Sequence, residues 1–195
     1  MDTIKLKTSS SMTLPEDTHM VTQFTQWFLD IQDNAIQEKK AKAKAKGDES
    51  QWQKEIWKSP EKNAAIKHRF RDEGERLGFK SRPSYKTNAG EWLYDFVWRE
   101  FDDNNHLKRV ALAMEIEVSD QSFVYDFNKL LQAESRYKIM VFQVKTEAEV
   151  EATFRVLQKA AAIYETRVPS HYLLVGWCTS NNCFSFLDFK KNCSE

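Results

Sequence analysis

Four carboxylates stand out, because their spacing can bring them to one surface. Glu91 and Asp95 lie in the stretch EWLYDFVWRE, and Glu115 and Glu117 lie in ALAMEIEV. Each stretch alternates apolar with other residues, and each is rich in aromatic or branched side chains, as strands are. Between them runs Asp102-Asp103-Asn104-Asn105-His106, a polar segment of turn-forming residues. A hairpin pivoting near Asn104 sets odd positions against odd. Side chains alternate between the two faces of a strand. The even face then holds Trp92, Tyr94, Phe96 and Trp98 with Leu112, Met114, Ile116 and Val118, which is a core face. The odd face gathers Glu91, Asp95, Glu115 and Glu117, with the small Ala111 and Ala113 beside them.

Carboxylates crowded beside a partly buried sheet repel one another unless a cation compensates. Mg²⁺ or Mn²⁺ is the natural compensator. Mg²⁺ takes oxygen ligands, binds through one or two carboxylates, and leaves positions for water and substrate phosphate. An ion held in this way polarises a phosphodiester and acidifies a bound water. The set therefore points to metal-dependent phosphodiester hydrolysis. The plainer alternative is a polar strand face on which Glu115 and Glu117 pair with Arg99 and Arg109.

The surrounding elements must position these groups. From Met20, the residues Phe24, Trp27, Phe28, Ile31 and Ile36 recur at helical spacing, and the helix continues through EKKAKAKAK to a stop at Gly47. Trp52, Ile56 and Trp57 form a short amphipathic turn. Ser59-Pro60 opens a further helix, with Ser as cap and Pro at its first position, that runs toward Gly78. Residues 79–90 read as a loop before the hairpin. Phe123, Phe127, Leu130 and Leu131 mark a helix that carries Asp126 and Lys129 one turn apart. RYKIMVFQVK is a buried strand. Thr146-x-x-Glu149 is a capping box opening the next helix, and strands at Tyr172–Cys178 and Phe184–Phe189 flank an Asn181-Asn182 turn. The fold class is α/β or α+β: a mixed central sheet flanked by helices, with an N-terminal helical extension over 1–58 and a core domain over 59–195.

This order resembles the PD-(D/E)XK nuclease superfamily, whose fold is restriction-endonuclease-like. The motif comprises an Asp on one core strand and Glu-x-Lys on the next, followed by a helix and a strand. Asp95 matches the Asp, Glu115 the acid of the second motif, and Glu117 its final position. The resemblance spans roughly residues 60–145. It departs from the pattern in two places: Tyr94 stands where Pro precedes the Asp, and Glu117 stands where Lys is usual. The resemblance implies an endonuclease acting on DNA with Mg²⁺ or Mn²⁺. Asp95, Glu115 and Glu117 would be catalytic and metal-binding, with Glu91 a peripheral ligand. Lys129 could reach the site from the core helix as the missing basic group. Arg69, Arg71, Arg82 and Lys86 would contact phosphates. The alternative is a catalytically inactive member of the fold that binds nucleic acid or a protein partner.

Charge distribution fits a polyanion partner. Residues 1–86 carry 17 Lys/Arg against 13 Asp/Glu, while residues 87–195 carry 12 against 16. The three cysteines match no zinc pattern and give no complete disulfide framework. With no long apolar run or leader pattern, the expectation is a cytoplasmic protein without a membrane partner, and a homodimer is open.

Overall fold

The computed structural model describes residues 17–55, 57–84, 93–118 and 123–193. Helix α1 (Asp17–Ala45) is followed by a 3₁₀ turn (Glu49–Lys54) and α2 (Ser59–Arg76). Then come β1 (Lys80–Arg82), β2 (Phe96–Phe101), β3 (Leu107–Glu117), α3 (Phe123–Gln132), β4 (Ser135–Val144), α4 (Glu147–Ile163), β5 (Ser170–Cys178) and β6 (Cys183–Lys191). The strands form one six-stranded sheet in chain order. The β3–β4 and β4–β5 pairs are parallel, while the β1–β2, β2–β3 and β5–β6 pairs are antiparallel. The expected α/β class holds, with helices on both faces of a mixed sheet.

Local chemistry fixes the helix ends. Gly47 and Gly78 follow α1 and α2 with φ of 91° and 85°, backbone that glycine enters without a Cβ clash. Thr146 and Glu149 form the expected capping box, with Thr146 N–H donating to Glu149 Oε2 at 2.7 Å. The start of α2 differs from expectation. Lys58 is the cap residue and makes no side-chain capping bond, and Ser59 is already helical with Pro60 in the first turn. Lys80–Arg82, expected as loop, forms a short edge strand because its alternation buries Ser81 between two outward cations.

Both faces of the sheet are core. On one face, α1 and α2 pack Phe24, Trp27, Phe28 and Phe70 against Trp98, Leu112 and Met114. Trp98 is fully buried, stacks on Phe79 at 5.2 Å and donates its indole N–H to Phe70 O at 2.8 Å. The even positions Phe96, Trp98, Leu112, Met114 and Ile116 face this α1/α2 core as expected, whereas Tyr94 packs against the core on the other face, Val118 is exposed and Trp92 lies outside the described residues. On the other face, α3 and α4 bury Val97, Ala113, Phe127, Leu130, Met140, Phe154 and Leu157. Apart from Ala113, each of these fully buried side chains contributes about 2 kcal/mol by leaving water. Burial on this second face corrects the expectation of one apolar and one acidic face. Helix α3 packs over β3 and β4 on this face, and Glu115 is enclosed beneath it. Lys138 is buried on the same side, donating to Leu131 O and Tyr172 Oη at 3.1 Å each, and burial pulls its pKa down to about 8.

Hairpin register differs from a simple pivot at Asn104. Phe101 pairs with Leu107 as that pivot requires, but Arg99 pairs with Val110 and Phe96 with Met114. Irregularities at Glu100/Phe101 and Trp98/Arg99 each slip the ladder by one residue in the same direction. One slip alone would set odd residues against even ones. The second restores parity, so odd positions still share a face beyond it. Without the slips, Asp95 would lie level with Ala113 instead of Glu115.

Candidate functional site

Asp95 comes just before β2 begins, and Glu115 lies near the carboxyl end of the antiparallel neighbour β3. Asp95 Oδ2 accepts the Ile116 backbone N–H at 2.7 Å, which fixes the carboxylate beside β3. Its Oδ1 lies 3.9 Å from Lys67 Nζ of α2. The chain enters this point through Leu93, which is 71% exposed and has φ of 62°, a left-handed conformation unfavourable for leucine. Backbone strain of this kind persists only where the surroundings impose it.

Glu115 is the most enclosed of the acids, with a side chain 2% exposed. Lys129 Nζ from α3 stands 2.8 Å from Glu115 Oε1 and 3.0 Å from Asp126 Oδ1. The spacing of Asp126 and Lys129 puts both on one side of α3, and the β3–α3–β4 crossover lays that side over Glu115. Glu115 Oε1 lacks aligned hydrogen-bond geometry, so its contact with Lys129 is a close ion pair. Burial pushes the Glu115 carboxyl up to about 7; Lys129 opposes the rise, while Asp95 and Asp126 add to it. Burial works against the Lys129 cation, but Glu115 and Asp126 outweigh it and hold the amine above its usual range. The Tyr94 hydroxyl is raised by burial and then by Glu115.

The expected residues are therefore only partly gathered. Glu115 and Lys129 meet, joined by Asp126, while Asp95 has Lys67 of α2 at 3.9 Å and acts on Glu115 only through its charge. Glu117 directs Oε1 to the backbone N–H of Val118, the next residue, at 2.7 Å. Among the described residues, no three His, Cys, Asp or Glu side chains are grouped to hold a metal. Glu91 and Lys86 lie outside the described residues. Arg69 pairs with Asp30 at 2.9 Å and Glu73 at 3.4 Å, on α2 and away from the acids. Arg71 is buried. Arg82 lies on β1 opposite Val97, near the same end of the sheet as Asp95. Two of the residues in the alternative pairing of strand acids with arginine have other partners. Arg109 pairs with Glu100 at 2.7 Å, and the partner of Glu115 is Lys129.

Beyond Glu117, at the carboxyl ends of β3, β4 and β5, a cleft of about 630 Å³ opens between Val118, Phe123, Gln143, Lys145, Glu149 and Thr179. Open α/β sheets bind ligands at this end of their parallel strands. Cys178, Cys183 and Cys193 are all free thiols. Among the described residues, no helix is long and apolar enough to cross a membrane.

The chain matches no protein-family model, no curated protein and no solved structure.

Proposed function

We propose that the chain is a divalent-metal-dependent nuclease of restriction-endonuclease-like fold that hydrolyses DNA phosphodiester bonds. The observation that carries this reading is Lys129 Nζ at 2.8 Å from Glu115. An amine stands beside the acid of the second strand although the strand itself offers Glu117 where lysine is usual. The order helix, three strands, helix, strand, with Asp95 directly preceding β2 and Glu115 on its neighbour β3, supports it as well.

The donor set fits Mg²⁺ or Mn²⁺, which needs only one or two carboxylates from the protein. Asp95, with Oδ2 held by the Ile116 N–H, and Glu115, with a buried oxygen that has no aligned donor, would be its ligands. When bound, the ion would supply charge neutralisation at the phosphate and a more acidic water. The protein's own contributions are distinct. Asp95 is oriented by the β3 backbone. Lys129 keeps its proton and balances Glu115. Glu115, with a pKa near 7, can hold or release a proton close to neutral pH.

Incubation with plasmid and single-stranded DNA, with and without Mn²⁺, tests the reading. Wild type should cleave only with metal, and Glu115→Ala and Asp95→Ala should not cleave. Calorimetry with Mn²⁺ should give heat for wild type that Asp95→Ala lacks; equal absence of binding in both sinks the metal site.

A second reading, a catalytically inactive protein of this fold that binds nucleic acid or a protein partner, is favoured by the near-complete enclosure of Glu115 and its neutralisation by Lys129. Salt-dependent DNA binding with no cleavage by wild type under any metal would select it.

A further inference from the structure

Helices α3 and α4 do not roof the whole of their face of the sheet. Helix α3 packs on β3 and β4, and α4 packs on β4, β5 and β6. The corresponding face of the β1–β2 edge carries cations. Strand β1 pairs Lys80 with Arg99 and Arg82 with Val97. Val97 belongs to the α3/α4 core, so Lys80, Arg82 and Arg99 all project to that side. Ser81 and its partner Trp98 point the opposite way, into the α1/α2 core.

Within this strip the cations converge on one ring. Lys80 Nζ lies 4.7 Å and Arg99 Cζ 5.2 Å from the centre of the Phe101 ring. The ring face attracts both charges. Lys80 also donates to Asn105 Oδ1 at 2.6 Å. Arg82 is diagonal to Arg99 across the two strands, within reach for side chains of this length. Arg99 is pulled below its usual range by burial and then by the charge of Arg82. Like charges held together on a half-buried surface favour an anionic partner. The strip ends at Arg82, beside the sheet end where Asp95 and Glu115 lie.

We propose that Lys80, Arg82 and Arg99, grouped around Phe101, form a phosphate-binding strip that seats a nucleic-acid backbone across β1 and β2 and leads it to the Asp95–Glu115 site. This proposal rests on the nuclease reading for the identity of the polyanion. The strip would be the positioning surface, and it reads charge spacing and no base edge.

The experiment is fluorescence anisotropy of labelled duplex and single-stranded DNA in EDTA, where binding is measured without hydrolysis. Wild type is compared with Arg82→Gln/Arg99→Gln and with Lys108→Gln/Arg109→Gln, whose native side chains pair with Glu100. Circular dichroism checks that each variant is folded. The strip variant should bind about tenfold or more weakly, and its log–log salt slope should be shallower by about 2, one unit per lost phosphate contact. The control pair should bind within about threefold of wild type, because its charges are already paired. Wild-type affinity and slope in the strip variant would overturn the proposal, as would tighter wild-type binding to polyglutamate than to either DNA. Strip-dependent binding without cleavage would end the nuclease reading and leave the strip intact. Cleavage with no dependence on the strip would do the reverse.

Discussion

Lys129 Nζ and Glu115 Oε1 lie 2.8 Å apart across the boundary between α3 and β3, with the acid enclosed and the amine about one-third exposed. Neither residue is explained by its own element. A glutamate facing a helix-covered sheet face is unfavourable by itself, and its cost is offset by a cation reaching down from the covering helix.

Removing the amine should therefore be costly. Lys129→Met leaves Glu115 buried without its partner, and unfolding stability at pH 8 should fall by about 2 kcal/mol, less than a wholly buried pair would lose because Lys129 is partly solvated. Urea titration measures the loss. At pH 5 most of it should disappear, because Glu115 is then protonated.

The pH dependence carries a definite sign. The carboxyl of Glu115 binds its proton more tightly folded than unfolded, with a folded pKa of about 7 against the ordinary 4.5. Its contribution to stability is fully present below about 4.5, declines as pH rises, and is lost above about 7. Lys129 is also raised, so its contribution falls away only above its ordinary 10.5. Thermal unfolding of wild type should decline across pH 4.5–7, and Glu115→Gln should flatten that decline. An equal slope in both proteins would show that another group governs it.

Tight approach in the α1/α2 core makes a third prediction. A Cβ on Gly74 would sit 2.3 Å from Trp98 Nε1, the atom that donates to Phe70 O. Gly74→Ala should destabilise the protein by about 2 kcal/mol by displacing a fully buried indole. Tryptophan fluorescence should shift to the red, and urea midpoints give the energy.

Leu93 supplies a prediction of opposite sign. Its φ of 62° is strained for leucine, and its side chain is exposed, so little packing is lost on truncation. Leu93→Gly should leave stability unchanged or raise it by up to about 1 kcal/mol, the relief of left-handed strain being partly offset by the entropy of glycine. A loss of more than that would show that the leucine side chain makes a stabilising contact.

Much of the fold is written in local pattern. The apolar spacing of Phe24, Trp27, Phe28 and Ile31 specifies α1, the Thr146/Glu149 pair specifies the start of α4, and the even residues Phe96, Trp98, Leu112 and Met114 specify a core face. These signals need only neighbours in sequence, because capping and periodicity act within a turn or two. Lys80–Arg82 escaped such reading: three residues carry too little periodicity, and pairing with β2 is what makes them a strand.

The candidate site divides in the same way. The sequence alone determined that Glu115 and Glu117 share one side of a strand, with Asp95 at the start of the strand facing it, and that Asp126 and Lys129 share one side of a helix. Tertiary structure decided which of these meet. Two one-residue slips in the ladder, invisible in side-chain alternation, set Phe96 opposite Met114 and so carry the preceding Asp95 toward Glu115. The crossover through α3 then lowered Lys129 onto Glu115 and sealed it from water, a relation that depends on how a helix lies over a sheet and on nothing local to either residue.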